Sequence, residues 1–290
     1  MSAIPEASNF RDAAARWRWL PILAGLLVLF VPTVYGLAGW LWQQEEHGHG
    51  PIILAVICWL FWQGRATLFG EPARTAPAAG IVSLLFGLLL YVLGRAHSIV
   101  LFELGALAPV LAGVLLAMCG WPALRKFWFP IVFIVFMLPL PGYLLDALTS
   151  DLKQQVSEIT AQILYAAGYP IARTGAVLSI GQYQLLVVDA CSGLNSMFSL
   201  SALGLLFMYL VARPSLLHNA VMFASILPIA FAANILRVTT LVLVTYHFGD
   251  EAGQGFLHGG AGMVMLLAAL AVLLLLDAML AKVIRPPKPA

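Results

Sequence analysis

Charged side chains are scarce in this sequence: Lys, Arg, Asp and Glu together form 10% of its 290 residues. Soluble globular domains carry about 25% charged residues, so this scarcity excludes a soluble globule. The net charge is only +2, and the lack of a basic tract argues against a nucleic-acid partner. Hydrophobic residues make up 62% of the chain. The composition predicts a polytopic membrane protein, with residues 1–290 forming a single domain surrounded by membrane lipid.

Cysteine is also scarce in the chain. Cys58, Cys119 and Cys191 are too few, and lie in too apolar a context, for a disulfide framework. No CxxC pair or Cys/His cluster indicates zinc, and His47 and His49 in the stretch HGHG have few further ligands on the same side. We therefore expect no metal and no cofactor. These two histidines are expected to be solvated or to line a substrate site.

Long apolar runs occupy most of the sequence. About 20 apolar residues cross a bilayer as a helix. The first run follows Arg11, Arg16 and Arg18 and is longer than the core of a cleavable signal, which predicts a retained helix. The run at 51–62 is short enough to be tilted or partly re-entrant. We predict an all-α bundle of about eight transmembrane helices, at residues 19–42, 51–62, 78–94, 99–119, 127–145, 194–211, 217–248 and 259–283.

The Lys and Arg residues are distributed unevenly between the two sides of this predicted bundle. Most of them lie in the segments on the side of the N-terminus. By the positive-inside rule, this asymmetry predicts that both termini are cytoplasmic. The candidate residues for chemistry then face the opposite side.

One long segment, 146–190, separates the fifth and sixth predicted spans. In residues 146–167 apolar side chains recur every three or four positions, which predicts an amphipathic helix lying on the outer leaflet. Residues 176–180 and 183–189 alternate around Gly181-Gln182, which predicts a β-hairpin. The segment is therefore expected to form a small cap outside the membrane.

Cys191 follows this cap, where an extended stretch runs into a long apolar helix. A helix N-terminus favours the thiolate over the thiol, which makes the position suitable for a nucleophile. Asp189 and Ser192 flank the cysteine, whereas Cys58 and Cys119 have apolar neighbours. The alternative is that Cys191 is a small buried hydrophobe, as most free cysteines are.

Arg237 lies inside the seventh apolar run, where a guanidinium costs at least about 2.5 kcal/mol on insertion scales. Asn234 shares its helix face, three residues earlier, and is placed to orient it. The pair predicts a functional site in the outer part of the bilayer. The alternative is a structural ion pair between Arg237 and Glu103 of the fourth span.

His258 lies among Gly253, Gly255 and Gly259, which predicts a backbone-permissive turn entering the last helix. Paired with Cys191, it is suited to accept the thiol proton and to protonate a leaving amine. The alternative is a solvated histidine at the membrane interface. His218, at the cytoplasmic end of its span, is not a candidate.

Several sequence blocks together resemble those of a known family. They are Ala190-Cys191-Ser192-Gly193-Leu194, Asn234 with Arg237, His258 with Gly262, His49-Gly50, and Met137-Leu138-Pro139-Leu140-Pro141. These blocks resemble the exosortases, which are multi-pass thiol peptidases or transpeptidases of the bacterial inner membrane, with the active site toward the periplasm. The continuation Asn195-Ser196-Met197 is similar to the exosortase B type.

The resemblance implies a sorting reaction on exported proteins whose C-terminus carries a Pro-Glu-Pro motif, a transmembrane helix and a basic tail (PEP-CTERM type). Cys191 would form a thioester with the substrate, and His258 would be the acid and base. Arg237, oriented by Asn234, would stabilise the oxyanion or hold the glutamate of the motif. Supporting roles would fall to Asp189, Ser192, Asn195 and His49.

Two other functions remain open on the residues alone. One is a transporter of small molecules or lipid-linked sugars, with Arg237 and Glu103 lining the path. The other is a non-catalytic scaffold of an exopolysaccharide export system. The transporter would depend on Glu103 rather than Cys191, and the scaffold would tolerate the loss of Cys191, Arg237 and His258.

Overall fold

A computed structural model of the protein describes residues 17–43, 48–70, 75–139, 142–186, 193–258 and 261–284. These residues are mostly helical, with one small sheet, so the predicted all-α membrane class is confirmed. The chain divides into two compact units, Met1–Leu140 and Pro141–Ala290. Each unit is described by itself.

The first unit consists of helices. Proline in the first turn begins α1, α2 and α4, since its fixed φ suits the start of a helix and its missing N–H is not needed there. A Cβ on Gly80 of α4 would overlap Ala117, and one on Gly113 of α6 would overlap Leu84, so small residues let α4 and α6 pack closely. The elements are α1 Leu20–Gly39, α2 Gly50–Gln63, α3 Arg65–Phe69, α4 Pro77–Ala96, α5 Val100–Gly105, α6 Leu107–Met118, α7 Gly120–Lys126, α8 Trp128–Phe133 and a 3-10 helix Ile134–Met137.

The predicted fifth span, 127–145, is wrong at its end. The helical stretch that begins at Trp128 stops at Met137, and it is bent by 59° against α7. Pro139 and Pro141 follow at once, and a residue before proline is driven out of the helical region. Residues 142–145, assigned to the span, belong to the next helix.

The predicted count of eight spans is not confirmed. Among the described residues, five helices are long and apolar enough to cross a membrane alone, and the bent stretch from α7 to Met137 raises the number to six. The helix α2, with 14 residues, and the apolar stretch Phe198–Val211 are shorter. Each of the eight predicted runs nevertheless coincides with a helix or with consecutive short helices.

The second unit combines a small sheet with long helices. Helix α11 is the longest, with 33 residues. Helices α10, α11 and α13 pack against one another around a core that includes Leu200, Ile226, Ala230 and Leu273. The elements are α9 Gly142–Ala166, β1 Ile171–Thr174, β2 Val177–Ile180, β3 Tyr183–Leu186, α10 Gly193–Val211, α11 Leu216–Phe248, α12 Asp250–His258 and α13 Ala261–Val283.

The structure confirms the amphipathic helix and the hairpin and adds a strand. Helix α9 begins four residues earlier than the predicted start at 146. Ile180 pairs with Tyr183, so Gly181-Gln182 forms the predicted two-residue turn, and Gly181 has a φ of 56°. Strand β1, which was not predicted, pairs antiparallel with β2 through a second two-residue turn, in which Gly175 has a φ of 62°.

This sheet and α9 pack on one end of α11. Leu178 and Ile180 of β2 and Leu164 of α9 are almost fully buried against Val238 and Val242 of α11. Alternate side chains of β2 are buried, as expected of a strand with one face on a core. The cap is therefore the assembly of α9 and the three strands, and its core is packed by side chains of α11 from Phe231 to Tyr246.

Candidate active site

Asn234 and Arg237 lie on the buried face of α11. Their residues are 5% and 6% exposed, in line with Ala230, Val238 and Leu241, at helical spacings of three and four. Both side chains have interaction partners within the protein. A buried guanidinium in an apolar helix is costly unless it is paired. An arginine at position 237 is therefore not explained by hydrophobic packing alone. Its neighbour Val238 is buried against the cap, so Arg237 lies within the stretch of α11, Phe231 to Tyr246, that packs on the cap's core.

Asn234 and Arg237 line a small cavity between three helices. Its volume is about 20 Å³, roughly the room that one water molecule needs. Helix α10 contributes Leu200, and α13 contributes Met265, Leu266 and Ala269. The predicted sixth, seventh and eighth spans therefore meet where the asparagine and arginine are buried.

The ends of these helices lie close to the cavity along the helix axes. Leu200 is seven residues after Gly193, the start of α10, a distance of about 10 Å at the rise of an α-helix. Met265 is four residues after Ala261, the start of α13, a distance of about 6 Å. The helices thus begin near the level of the two polar side chains.

Cys191, Asp189 and Ser192 lie outside the described residues. They belong to the stretch 187–192, which joins β3 of the cap to α10. Asn195 is in the first turn of α10, and its side chain is outside the described part of the chain. As predicted, a strand of the cap precedes the segment of Cys191 and a long apolar helix follows it.

His258 is the last residue of the helix α12, so Gly253 and Gly255 lie in a helix and not in the predicted turn. Asp250 and Glu251 stabilise the first turn of α12 through the helix dipole. A Cβ on Gly253 would overlap the hydroxyl of Thr245 on α11, so this glycine permits a close helix contact rather than a turn. The side chain of His258 is outside the described residues, as are residues 259–260.

His49 and Glu103 both belong to the first unit. The Nε2 atom of His49, just before α2, lies 3.2 Å from the carbonyl oxygen of Phe136. A carbonyl can only accept, so Nε2 carries the proton of this bond. The Oε1 atom of Glu103 accepts hydrogen bonds from Arg95 Nη1 at 2.8 Å and from Thr33 Oγ1 at 2.5 Å. This carboxylate therefore has its own partners within its unit.

Sequence reasoning missed a charged cluster at the opposite end of α11. The carboxylate of Asp277 on α13 accepts hydrogen bonds from Arg213 Nη2 at 2.6 Å and from Arg213 Nε at 3.2 Å. The Nε2 atom of the buried His218 lies 2.8 Å from Asp277 Oδ1, the oxygen that also accepts from Arg213 Nε. The hydrogen bond to Asp277 raises the pKa of Arg213, which keeps the guanidinium charged. The sequence feature that could have revealed this cluster is Asp277 itself, because an acidic residue within an apolar run requires a partner.

Metal ligands are not grouped within the described part of the chain. No three His, Cys, Asp or Glu side chains of these residues lie close enough together to hold an ion. The polar groups at the cavity are an amide and a guanidinium, which suit the binding of an oxyanion or a carboxylate rather than a cation.

Comparison with known proteins adds one match. Residues 40–275 match the family model described as Transmembrane exosortase (Exosortase_EpsH). The matched range contains the cap, the cavity and the stretches around Cys191 and His258. No curated protein and no solved structure matches the chain.

Proposed function

Because this chain belongs to the transmembrane exosortase family, we propose that it is a membrane-embedded cysteine peptidase or transpeptidase. Its substrates are exported proteins that carry a C-terminal sorting signal: a Pro-Glu-Pro motif, a transmembrane helix and a basic tail. The observation that carries the proposal is the cavity shared by α10, α11 and α13, which is lined by the buried Asn234 and Arg237. Two of these helices begin directly after the segments of Cys191 and His258.

The proposed reaction has two steps. In the first, His258 takes the proton of the Cys191 thiol, and the sulfur attacks the carbonyl carbon of the scissile peptide bond. The C–N bond breaks, His258 gives the proton to the leaving amine, and the substrate remains bound to Cys191 as a thioester. In the second, water or an amine attacks the thioester carbonyl, and the released thiol regains its proton.

Arg237 has the electrostatic role in this scheme. Its guanidinium binds either the oxyanion of the tetrahedral intermediate or the glutamate of the motif through two parallel N–H donors. In a cavity with apolar walls, such a donor is stronger than in water because the local dielectric constant is low. Asn234, one helical turn away on the same face, orients the guanidinium.

The depth of Arg237 supports a substrate that arrives as a transmembrane helix. Arg237 is 11 residues before the end of α11, or about 16 Å along the axis. A peptide bond beside a membrane anchor can reach this depth more readily than a soluble chain. We propose that this end of the bundle faces the periplasm across the bacterial inner membrane, with Asp189, Ser192 and Asn195 supporting the site.

Co-expression with a protein that carries such a sorting signal tests the proposal. Cys191→Ala and His258→Ala are each expected to abolish release of the signal, and Arg237→Ala to reduce it by about 100-fold or more. Cys119→Ala is the matched control, because Cys119 is a buried thiol of the first unit. Immunoblots report both processing and the membrane level of each variant. Normal processing by Cys191→Ala would overturn the proposal.

A further inference from the structure

The first unit contains a much larger cavity than the one at Arg237. Its volume is about 430 Å³, within the range of small-molecule sites. Its walls come from α1, α2, α3 and α6, with Leu26, Ile57 and Leu111 among them. Along α2 the lining runs from Leu54 to Trp62, a length of about 12 Å. The cavity is therefore a long apolar groove that follows the helices.

The groove ends at a charged, aromatic mouth. Arg65 is the single charged residue among the described lining residues, and Trp19 and Trp62 lie beside it in the same lining. The guanidinium of Arg65 lies over the Trp62 ring, 4.7 Å from its centroid, and donates to the Trp62 carbonyl at 3.2 Å. These contacts hold a positive charge at the mouth of an apolar groove.

Further contacts fix this mouth and add positive charge. The indole Nε1 of Trp19 donates to the Leu68 carbonyl of α3 at 3.1 Å. Lys126 Nζ donates to the hydroxyl of Thr67, also on α3, at 2.5 Å. No acidic side chain lines the groove among the described residues. The electrostatic character of the mouth therefore favours an anion.

We propose that this groove binds an acyl chain of an anionic phospholipid, with the lipid phosphate held by Arg65 beside the two tryptophans. Tryptophan is typical of the depth at which lipid headgroups lie, and basic pockets between transmembrane helices recognise anionic headgroups. The apolar walls account for the acyl chain, and the guanidinium accounts for the phosphate. The groove lies in the first unit, so its occupancy does not depend on the chemistry proposed for Cys191.

Charge disfavours a helix of a sorting signal in this groove. The basic tail proposed for the substrate would meet Arg65 and Lys126, which repel it. A single acyl chain is narrower, and its headgroup has the complementary charge.

Native mass spectrometry of the full chain in mild detergent tests the proposal. The protein is titrated with phosphatidylglycerol or with phosphatidylcholine carrying the same acyl chains. Arg65→Gln is expected to weaken phosphatidylglycerol binding about fivefold, since a basic residue near the headgroups contributes about 1 kcal/mol. It is expected to weaken phosphatidylcholine binding less, because the choline ammonium of that lipid offsets the charge of its phosphate. Its matched control is Arg125→Gln, a change at an exposed arginine outside the lining.

A second pair of variants tests the apolar part of the groove. Leu54→Trp fills it and is expected to lower the binding of both lipids, whereas Leu85→Trp, at an exposed position outside the lining, is expected to change neither. Leu26→Phe is a milder filler if Leu54→Trp does not give a monodisperse protein. Excess inorganic phosphate should leave the lipid bound, because phosphate does not replace the acyl chain.

Three results would overturn the proposal. One is that the unaltered protein binds the two lipids equally well and that Arg65→Gln does so too. Another is lipid binding that persists unchanged in both filled variants. The third is displacement of the lipid by a synthetic apolar helix with a basic tail but not by excess phosphatidylglycerol, which would assign the groove to a substrate helix.

Discussion

The shape of the Arg237 side chain matters to the proposed reaction as much as its charge. A guanidinium offers two parallel donors in a fixed plane, whereas an ammonium is a point charge on a flexible stem. We expect Arg237→Lys to lose at least about 100-fold in processing, close to the effect of Arg237→Ala. The assay is release of the sorting signal at equal membrane levels of the variants.

Arg173→Lys is the matched control for this change. Arg173 lies on β1 of the cap, where it donates to the Gly175 carbonyl at 3.2 Å, away from the cavity lining. The control is expected to process normally. Near-normal processing by Arg237→Lys would mean that charge alone is required at this depth.

The three cysteines differ in their surroundings, which makes the thiol role testable. Cys119 is buried, with its sulfur 3.8 Å from the Leu68 carbonyl, and Cys58 lies on α2 in the first unit. We expect a double variant, Cys58→Ala with Cys119→Ala, to process substrate within about twofold of the unaltered protein. A small alkylating reagent should then inactivate it completely, because only Cys191 remains.

Activity that survives alkylation in this double variant would contradict a thiol nucleophile. Peptide mass spectrometry identifies the alkylated residue, so incomplete labelling is distinguished from activity without a thiol.

Burial at residue scale could be predicted for Arg237 and Asn234 because a charge within an apolar run is costly and must face the interior. The same reasoning applies to Asp277, the acidic residue within the last apolar run. His218, at the cytoplasmic end of its span, is almost fully buried against Asp277. A charged residue within a span predicts a buried partner, whether it lies near the outer or the cytoplasmic end of the span.

At the scale of elements, α12 determines where the backbone of His258 lies. A Cβ on Gly253 would overlap the Thr245 hydroxyl, whereas a Cβ on Gly255 meets nothing within 4 Å. We therefore expect Gly253→Ala to shift α12 and to lower processing at least about tenfold, because small displacements of a catalytic group strongly lower the reaction rate. Gly255→Ala, in the same helix, is the matched control and should process normally.

The overlap between a Cβ at position 253 and the Thr245 hydroxyl can be relieved in a rescue experiment. Thr245 Oγ1 has no hydrogen-bond partner among the described residues, so its removal is expected to be mild. Adding Thr245→Ala to Gly253→Ala should recover most of the processing. Full activity of Gly253→Ala alone would show that the close packing of α12 does not matter to the reaction.

The cluster of Asp277, Arg213 and His218 joins α13 to α11 and to the segment before it. Replacing Asp277 leaves a buried imidazole and a half-exposed guanidinium without their acceptor. The Arg213 side chain is 40% exposed, so solvent partly screens the contribution of its ion pair to the stability of the fold. We expect Asp277→Asn to destabilise the folded protein by about 1–2 kcal/mol. Thermal unfolding in detergent measures the effect against Asp151→Asn, at an exposed position on α9.

This cluster should act on stability and not on chemistry. His218 is 16 residues from Asn234 along α11, about 24 Å. Folded Asp277→Asn protein is therefore expected to process substrate normally. A processing defect that exceeds the loss of folded protein would contradict this separation.

Elements with a strong local signal could be predicted, and those that depend on tertiary contacts could not. The periodicity of α9 and the Gly181 turn are local features, and the structure confirms both. Strand β1 has only four residues and is exposed along most of its length, so it gains its structure from pairing with β2. Helix α12 was missed because its glycines resemble a turn unless the contact with Thr245 is known.

At the scale of the whole molecule, composition was sufficient for the membrane class. The number of spans was not, because α2 is short and the stretch from α7 to Met137 is bent at its middle. Hydropathy registers apolar length but not whether consecutive helical segments share an axis. The match over residues 40–275 shows a family membership that neither composition nor span count indicates.

The most direct test of the proposed chemistry is capture of the acyl-enzyme. Hydroxylamine attacks thioesters, so its addition to the full-length enzyme with substrate should yield a processed protein that ends in a hydroxamate. We predict this product for the unaltered enzyme and for the double variant that keeps only Cys191, and none for Cys191→Ala. A processed protein that ends in an ordinary carboxylate at every hydroxylamine concentration, and that forms equally with Cys191→Ala, would contradict a thioester on Cys191.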